Sequence, residues 1–440
     1  MEYLPNIVFL LALVVGIGYF TKNIRKVIRN IKLGQSIPKV DQKKQRWNNV
    51  FRIALGQSKM VVRPISGAMH IFVYLGFIII NIEVIEIIID GLFGTHRVLS
   101  FMGPLYDVLI GIFEVLALLV IIGIGTFWVR RNIQRIKRFW SPEMKGWPKN
   151  DANYILYFET ILMILFLTMN AADLKLQGLG VAHYAEVGAF PISQYLVPLL
   201  DNFSETTLIL IERSAWWLHI LGMLVFLNYL YFSKHLHIIL AFPNVYFGKV
   251  DPPGKLKNLE SVTNEVKLMM DPNVDPFAAP AEGAEVPAKF GASDVLDLNQ
   301  IQLLNAYTCT ECGRCTSECP ANQTGKKLSP RKIMMDTRDR LEEVSKNIDK
   351  NGSFEPDGKQ LLDDYITREE LWACTTCNAC VQACPVSIDP LSIIMDMRQY
   401  LVMEQSAAPN ELNITMTNIE NNAAPWPFNQ MDRANWINED

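Results

Sequence analysis

All eight cysteines lie in the last third of the chain, in two copies of one pattern. The first reads Cys309-x-x-Cys312-x-x-Cys315-x-x-x-Cys319-Pro320, the second Cys374-x-x-Cys377-x-x-Cys380-x-x-x-Cys384-Pro385. Three cysteines stepped by two residues wrap a tight loop over one cubane, and the fourth, set before proline, ligates the other cubane of a two-cluster module. The spacing therefore predicts two 4Fe–4S clusters. Cys309, Cys312, Cys315 and Cys384 would hold one, and Cys374, Cys377, Cys380 and Cys319 the other. Structural zinc takes two ligand pairs across a longer loop, and disulfides need an oxidising compartment. The chemistry is thereby narrowed to one-electron transfer.

Cys319 and Cys374 are 55 residues apart, and the gap reads as helix. Ser329-Pro330 joins an N-cap to a proline at the first helical position, ahead of Ile333, Met334 and Leu341 among charges. A second helix is expected from Gln360 into Trp372, and a third from Asp389-Pro390 to about Met403. Each cysteine motif then becomes a loop between helices.

Half of the 440 residues are hydrophobic, but unevenly so. Residues 1–247 hold the long apolar runs, and 248–440 read as soluble. Five runs, at 4–20, 66–89, 105–129, 154–172 and 214–233, reach or approach the length that crosses a bilayer. The first has Glu2 before it and Lys22, Arg25, Lys26 and Arg29 after it, so it reads as a retained anchor and not as a signal peptide. Residues 21–63 carry twelve Lys/Arg and one acid, residues 130–151 seven and two, and residues 173–213 two Lys/Arg and five acids. By the positive-inside rule the first two loops face the cytoplasm of a bacterial inner membrane. The N-terminus is then periplasmic and the cysteines cytoplasmic.

The expected fold is all-α: a five-span transmembrane helical bundle (1–247) followed by a cytoplasmic α-helical dicluster ferredoxin domain (301–405). Residues 248–300, with Asp251-Pro252-Pro253, Pro272, Pro276 and an Ala/Pro/Glu run at 278–288, read as a linker. The Asn-rich tail at 406–440 carries isolated Trp426 and Trp436, suited to docking a partner. A net charge of −4 with no basic stripe excludes a nucleic-acid binder.

Histidine is rare and concentrated at the spans. Imidazole is a common axial ligand of haem iron. Read as one helix, the fifth span puts His219 and His237 five turns apart on one face, about 27 Å along the axis. His70 matches the depth of His237, so the two are expected to ligate an inner b-type haem. His219 is a candidate for a second haem, but the outer half of the second span offers Asn81, Glu83, Glu86 and Asp90 and no imidazole. His235 falls on the opposite face and is expected to meet headgroups. Glu83 and Glu86 share a face and are candidates for moving the protons of quinone chemistry. Asp90 and Glu212 are expected in water at helix ends.

Thr308-Cys309-Thr310-Glu311-Cys312-Gly313-Arg314-Cys315, with Thr324-Gly325-Lys326 and Leu328-Ser329-Pro330, resembles a family of membrane iron–sulfur oxidoreductases. Trp372-Ala373-Cys374-Thr375-Thr376-Cys377, with Cys384-Pro385 and Asp396-Met397-Arg398, carries the same resemblance. The family is the membrane-bound electron-transfer-flavoprotein:menaquinone oxidoreductases, whose cluster module heterodisulfide-reductase-like proteins share. The membrane part is similar to the gamma subunit of respiratory nitrate reductase, with five spans and two b haems. There the fifth-span histidines have the spacing of His219 and His237, and His70 matches the inner ligand. The outer ligand falls near Ile80, which cannot bind iron.

The resemblance implies menaquinone as acceptor. Flavoprotein-oxidising relatives also carry cysteine-rich CCG domains. No such cysteines follow Cys384 here, which implies a separate CCG-type iron–sulfur subunit fed by electron-transfer flavoprotein. The expectation is a membrane subunit that passes electrons from that donor through two clusters and a b haem to menaquinone. Alternatives are the quinone-linked subunit of a hydroxy-acid or glycerol-phosphate dehydrogenase, a heterodisulfide-reductase-like complex, or a redox sensor or assembly protein. No Gly-rich dinucleotide fingerprint is present, so NADH is not expected to dock on this chain.

Overall fold

The computed structural model describes residues 3–37, 40–252, 254–256, 258, 260–273 and 289–438. Pro253, Pro276 and the run at 278–288 of the expected linker lie outside the described residues. Among the described residues the regular structure is helical, with β-pairing only as isolated bridges, Gln35–Asn299 and Leu362–Ile366.

Five helices are long and apolar enough to cross a membrane: α1 (Leu4–Lys32), α2 (Pro64–Phe93), α3 (Pro104–Asn132), α4 (Trp147–Gly178) and α5 (Glu205–Leu230). At 1.5 Å per residue even α5 is about 39 Å long, beyond the hydrocarbon thickness of about 30 Å. Proline in the first turn starts α1 to α4, where its missing N–H leaves no bond unmade. Polar first and last turns carry these helices beyond the expected apolar runs.

The spans close into a ring. α1 packs on α2 and α5, α2 on α3, α3 on α4, and α4 on α5. Glycine permits the tight approach of α2 and α3: a Cβ at Gly76 would collide with the Val120 methyl, and one at Gly123 would sit 3.1 Å from the Met69 carbonyl oxygen. Phe9, Ile80, Phe113, Phe166, Trp216 and Ile220 fill the middle. Leu11, Val15, Ile85, Val108, Ile164 and Leu210 point outward and stay exposed. Apolar side chains on both faces, with every backbone bond kept inside a helix, are what lipid as a solvent requires.

After α5 the chain turns through Lys234–Leu236 and enters α6 (His237–Phe247). The cysteine region is built on α7 (Gln300–Thr308), α8 (Pro330–Asn351) and α9 (Pro390–Met403). The Ser329 side chain accepts from Lys332 N, and Asp389 accepts from Ser392 N, so α8 and α9 start where their caps place them. The continuous helix expected over 360–372 does not form. Leu361–Asp364 is broken by the positive φ of Asp363 (72°), and a Thr367–Glu370 capping box starts a separate turn, Arg368–Trp372. The tail forms α10 (Asn410–Asn422) and a 3-10 turn at Gln430–Asn438, with Trp426 and Trp436 exposed.

One apolar core runs from the bundle into the cysteine region. Val27, Phe226, Leu230, Leu236 and Leu240 pack with Leu303, Tyr307, Ile333, Ile394 and Met397. Fully buried Asn30 donates to the Tyr307 hydroxyl at 2.8 Å. Gln35 N meets the Leu298 carbonyl at 2.8 Å, and Gln300 N meets the Gln35 carbonyl at 3.1 Å.

Candidate electron-transfer site

The two cysteine loops repeat one backbone conformation. Two and four residues after the first cysteine the chain turns left-handed, at Glu311 (φ 55°) and Gly313 (φ 70°) in one loop and Thr376 (φ 56°) and Asn378 (φ 60°) in the other. Such turns are strained for most side chains, and here they fold each motif into a tight loop. All eight thiols are free. Electrostatically, Cys384 acts on Cys315 and Cys312 on Cys384, while Cys319 acts on Cys374 and Cys380. Cys384 thus lies within electrostatic reach of Cys312 and Cys315, and Cys319 within reach of Cys374 and Cys380.

The donor set fits clusters better than a lone ion. Among the described residues no three His, Cys, Asp or Glu side chains converge closely enough to hold one metal ion. A cubane spreads its four thiolates over four irons, which sets them farther apart. Burial pushes the Cys309 and Cys380 thiols up to about 12 and Cys384 to about 11. Such thiols stay protonated and inert unless a metal centre's charge draws the proton off.

The histidines are placed differently from the sequence expectation. His219 and His237 do not share a helix. α5 ends at Leu230, and Ser233 caps the turn at Lys234–Leu236 by accepting from His235 N. The five-turn phase argument therefore fails. The change of direction nonetheless brings His237 to His70, with ring centres 6.5 Å apart. Two imidazoles on one iron, with metal–nitrogen bonds of about 2 Å and ring nitrogens about 1 Å from the ring centres, stand about 6 Å apart. His237 Nδ1 lies 3.1 Å from the Lys234 carbonyl, which puts its proton there and leaves Nε2 as a ligand. His70 Nδ1 has no partner.

His235 does not face headgroups. Its ring stands 5.4 Å from that of His237, and its Nε2 lies 3.4 Å from Glu159. No second imidazole comes to His219 among the described residues. Its Nδ1 meets the Leu162 carbonyl at 3.0 Å, its ring neighbour is Phe166, and Ile80 sits in the surrounding apolar core. His96 pairs with His183 instead.

His70, His235 and His237 face a cavity of about 400 Å³, within the range of cofactor sites. Cys309, Cys312, Cys315, Cys380 and Cys384 also line it, as do Arg131, Arg138 and Arg331. Arg131 Nε and Nη2, Arg138 Nε and Arg331 Nε are buried without hydrogen-bond partners. Unpaired guanidinium nitrogens are rare inside proteins, and they suit carboxylates or an anionic cluster. The residues present thus fit a bis-histidine haem beside a 4Fe–4S cluster.

Above and below this cavity the two halves are clamped by charge. Lys234 and Arg338 both meet buried Glu311, Arg338 at 2.8 Å. Fully buried Arg331 pairs with Glu143 at 2.6 Å. Burial works against ionising Glu311, but the neighbouring Lys234 and Arg338 outweigh it and hold its carboxyl below the usual range.

At the far end of the bundle Glu83 and Glu86 are buried, at 3% and 2% exposure. Glu86 accepts from the Tyr106 hydroxyl (2.9 Å) and Leu99 N (2.8 Å). Arg97 bonds Asp173 at 2.6 Å and Asn170 at 2.9 Å, and Asn170 reaches Glu114. Glu83 Oε2 has no partner. Asp90 and Glu212 are not in water. Asp90 caps the turn at Thr95, Arg97 and Val98, and Glu212 accepts from the Tyr184 hydroxyl at 3.0 Å. Carboxylates so deep in a bundle persist only when paired or hydrogen-bonded. Arg97, Arg131 and Arg138 went unmarked in the sequence. The one available signal was their position within or beside apolar runs.

The 4Fe-4S dicluster domain family matches residues 308–388. The chain is 31% identical over 463 residues to "Probable iron-sulfur-binding oxidoreductase FadF" of Bacillus subtilis, covering 98% of this chain and 61% of that protein. It is 26% identical over 472 residues to "EtfAB:quinone oxidoreductase" of Syntrophomonas wolfei, covering 100% of this chain and 60% of that protein. A "Probable membrane-anchored ferredoxin" of Chromohalobacter salexigens is 30% identical over 165 residues, 34% of this chain and 25% of that one. The chain spans about three-fifths of the length of the first two relatives. No solved structure matches it. It carries a 4Fe–4S dicluster domain joined to helices fit to cross a membrane, and it is similar to iron–sulfur oxidoreductases.

Proposed function

We propose that the chain is the membrane electron-transfer subunit of a quinone-reducing oxidoreductase. Electrons pass from a cytoplasmic donor, a CCG-type iron–sulfur subunit fed by electron-transfer flavoprotein, through two 4Fe–4S clusters and one b haem to menaquinone. The membrane is the bacterial inner membrane, with the cysteine region on its cytoplasmic side. One observation carries this reading: a single cavity is lined both by His70 and His237 and by Cys309, Cys312, Cys315 and Cys384. Similarity over nearly the whole chain to a protein named as an EtfAB:quinone oxidoreductase supports the donor and acceptor classes.

Bound there, the clusters and haem supply closely spaced one-electron carriers. The chain's own residues do the rest. The eight cysteines hold the clusters in crossed sets. His237, fixed by the Lys234 carbonyl, and His70 ligate the haem iron. Arg131 offers its unpaired Nε and Nη2 to its anionic edge. His219, whose Nδ1 meets the Leu162 carbonyl, has no imidazole partner among the described residues and is not assigned a haem in this reading. Glu83 and Glu86 are the carboxylates we assign to proton movement at the far end of the bundle.

The test is an optical spectrum of the purified full chain. A reduced α band that bleaches on adding a menaquinone analogue is expected, and His70→Ala and His237→Ala should each abolish it. A wild-type chain with eight cluster irons and no such band removes the haem from this reading.

A further inference from the structure

The two cysteine loops share a backbone but not an electrostatic setting. Cations from both halves of the chain crowd the first loop and Cys384, the fourth ligand assigned to its cluster. Lys59 reaches the Cys384 carbonyl at 3.3 Å and the Ser387 hydroxyl at 3.1 Å. Arg314, inside the loop, donates to the Lys59 carbonyl at 3.1 Å. Arg138 packs on the loop's glycine, where a Cβ at Gly313 would lie 3.2 Å from the Cβ of Arg138. Burial, with Arg63 alongside, pushes the Arg138 guanidinium down to about 10.

These three differ from their neighbours. Arg63, Arg331 and Arg338 are neutralised by Glu318, Glu143 and Glu311. Lys59 and Arg314 meet carbonyls, hydroxyl or sulfur, Arg138 lies over the Phe139 ring, and none of the three meets a carboxylate among the described residues. At the second loop Arg398 donates to the Cys374 carbonyl at 2.6 Å. Asp389, of opposite charge, acts on Cys380. Cys377 of this loop is exposed and only its Cys380 and Cys384 reach the cavity that His70 and His237 face, whereas Cys309, Cys312 and Cys315 all line it.

Reduction adds a negative charge to a centre already made anionic by four thiolates. Net charge, hydrogen bonds and solvent exposure set its potential. Burial alone disfavours the added electron. Cations held against the loop in a dry setting favour it, and their effect grows as the local dielectric falls. Three uncompensated cations beside the ligands assigned to the first cluster stand against one at Cys374 of the second, and that one is opposed by Asp389.

We propose that Lys59, Arg138 and Arg314 hold the cluster of Cys309, Cys312, Cys315 and Cys384 at a higher potential than the other. The chain is thereby a directional relay. Electrons enter at the exposed second-loop face around Cys377 and leave from the first cluster into the His70–His237 cavity. An external one-electron donor is oxidised as the second cluster is reduced, and that cluster is reoxidised as the first is reduced. No bond forms or breaks, and no proton moves. The inference rests on the reading of the eight cysteines as ligands of two clusters and not on the haem.

The experiment is a redox titration of the purified full chain, followed by electron paramagnetic resonance. Two cluster signals with separate midpoints are expected. Arg138→Gln and Lys59→Gln should each lower the upper midpoint alone, and Arg398→Gln the lower one alone. Iron content and thermal unfolding identify variants that are loaded and folded. Lys59 and Arg138 sit on different loops, so loss of one variant leaves the other to decide. A shift of the lower midpoint by either substitution, or no shift from a folded variant, overturns the assignment. The titration reads the clusters alone, so a chain without haem fails the optical test and still returns a clear result here.

Discussion

Arg340 shows how far this chain relies on buried charge away from its cofactor sites. It is fully buried, bonds Asp294 at 2.8 Å and Asp357 at 2.6 Å, and donates to the Lys359 carbonyl at 2.8 Å. Removing one partner of such a group costs about 3–5 kcal/mol, because the remaining charges lose their compensation. Arg340→Gln is therefore expected to lower the thermal unfolding temperature clearly. The bond from Arg340 holds the Asp357 carboxyl below its ordinary 3.8. A depressed acid stabilises above its unfolded pKa and loses that contribution as pH falls through the folded value. The gap between wild type and variant should then stay level from about pH 8 to 5 and narrow only in stronger acid. Gly313 supplies a second test. Its positive φ and its packing under Arg138 and Arg331 leave no room for a side chain. Gly313→Ala should reduce bound iron per chain, read by iron analysis against protein. The cysteines were legible because ligand spacing is local. The arginines were not, since the sequence does not say which guanidinium meets a carboxylate and which is left for an anion.

Among the elements, the five spans were legible for the same reason: an apolar run of sufficient length needs no tertiary knowledge. The end of α5 was not. Tyr231-Phe232 and then His237-Ile238-Ile239-Leu240 continue the apolar character, and no glycine or proline marks the break. The signal was Ser233, whose side chain accepts from His235 N and whose hydroxyl donates to the Leu230 carbonyl. Losing a serine cap costs about 1 kcal/mol. Ser233→Ala should lower thermal stability by that order and weaken the haem band by loosening His237, while Ser233→Thr keeps both. A band unchanged in a destabilised Ser233→Ala protein would show that the cap does not position His237. The network of Glu86, Arg97, Tyr106, Glu114, Asn170 and Asp173 was likewise hidden, because it joins α2, α3 and α4 through residues far apart in sequence.

For the molecule as a whole, the question is whether the cysteine region is a tethered domain or part of the bundle's own core. A split at residue 247, followed by a linker, suggested the former. The structure favours the latter, since Val27, Phe226, Leu230 and Leu240 pack directly with Leu303, Tyr307 and Ile333. Besides the buried ion pairs of Lys234 with Glu311 and Arg331 with Glu143, two kinds of contact hold the seam, and salt separates them. The ion pairs of Lys26 and Arg29 with Asp349 and of Arg63 with Glu318 are partly exposed, at 29–50%. They are worth about 1 kcal/mol or less apiece and are screened by salt. The shared core is apolar and is not screened. In about 1 M salt the full chain in detergent should therefore keep its unfolding temperature nearly unchanged. Residues 289–405 made alone expose Leu303 and Tyr307 to water and should aggregate or lose iron. Replacing those two by polar residues in the fragment should restore solubility. A monodisperse unmodified fragment with eight irons would instead make the seam a mere docking contact. The cation-rich side of the first cluster would then be exposed to solvent whenever the two halves part.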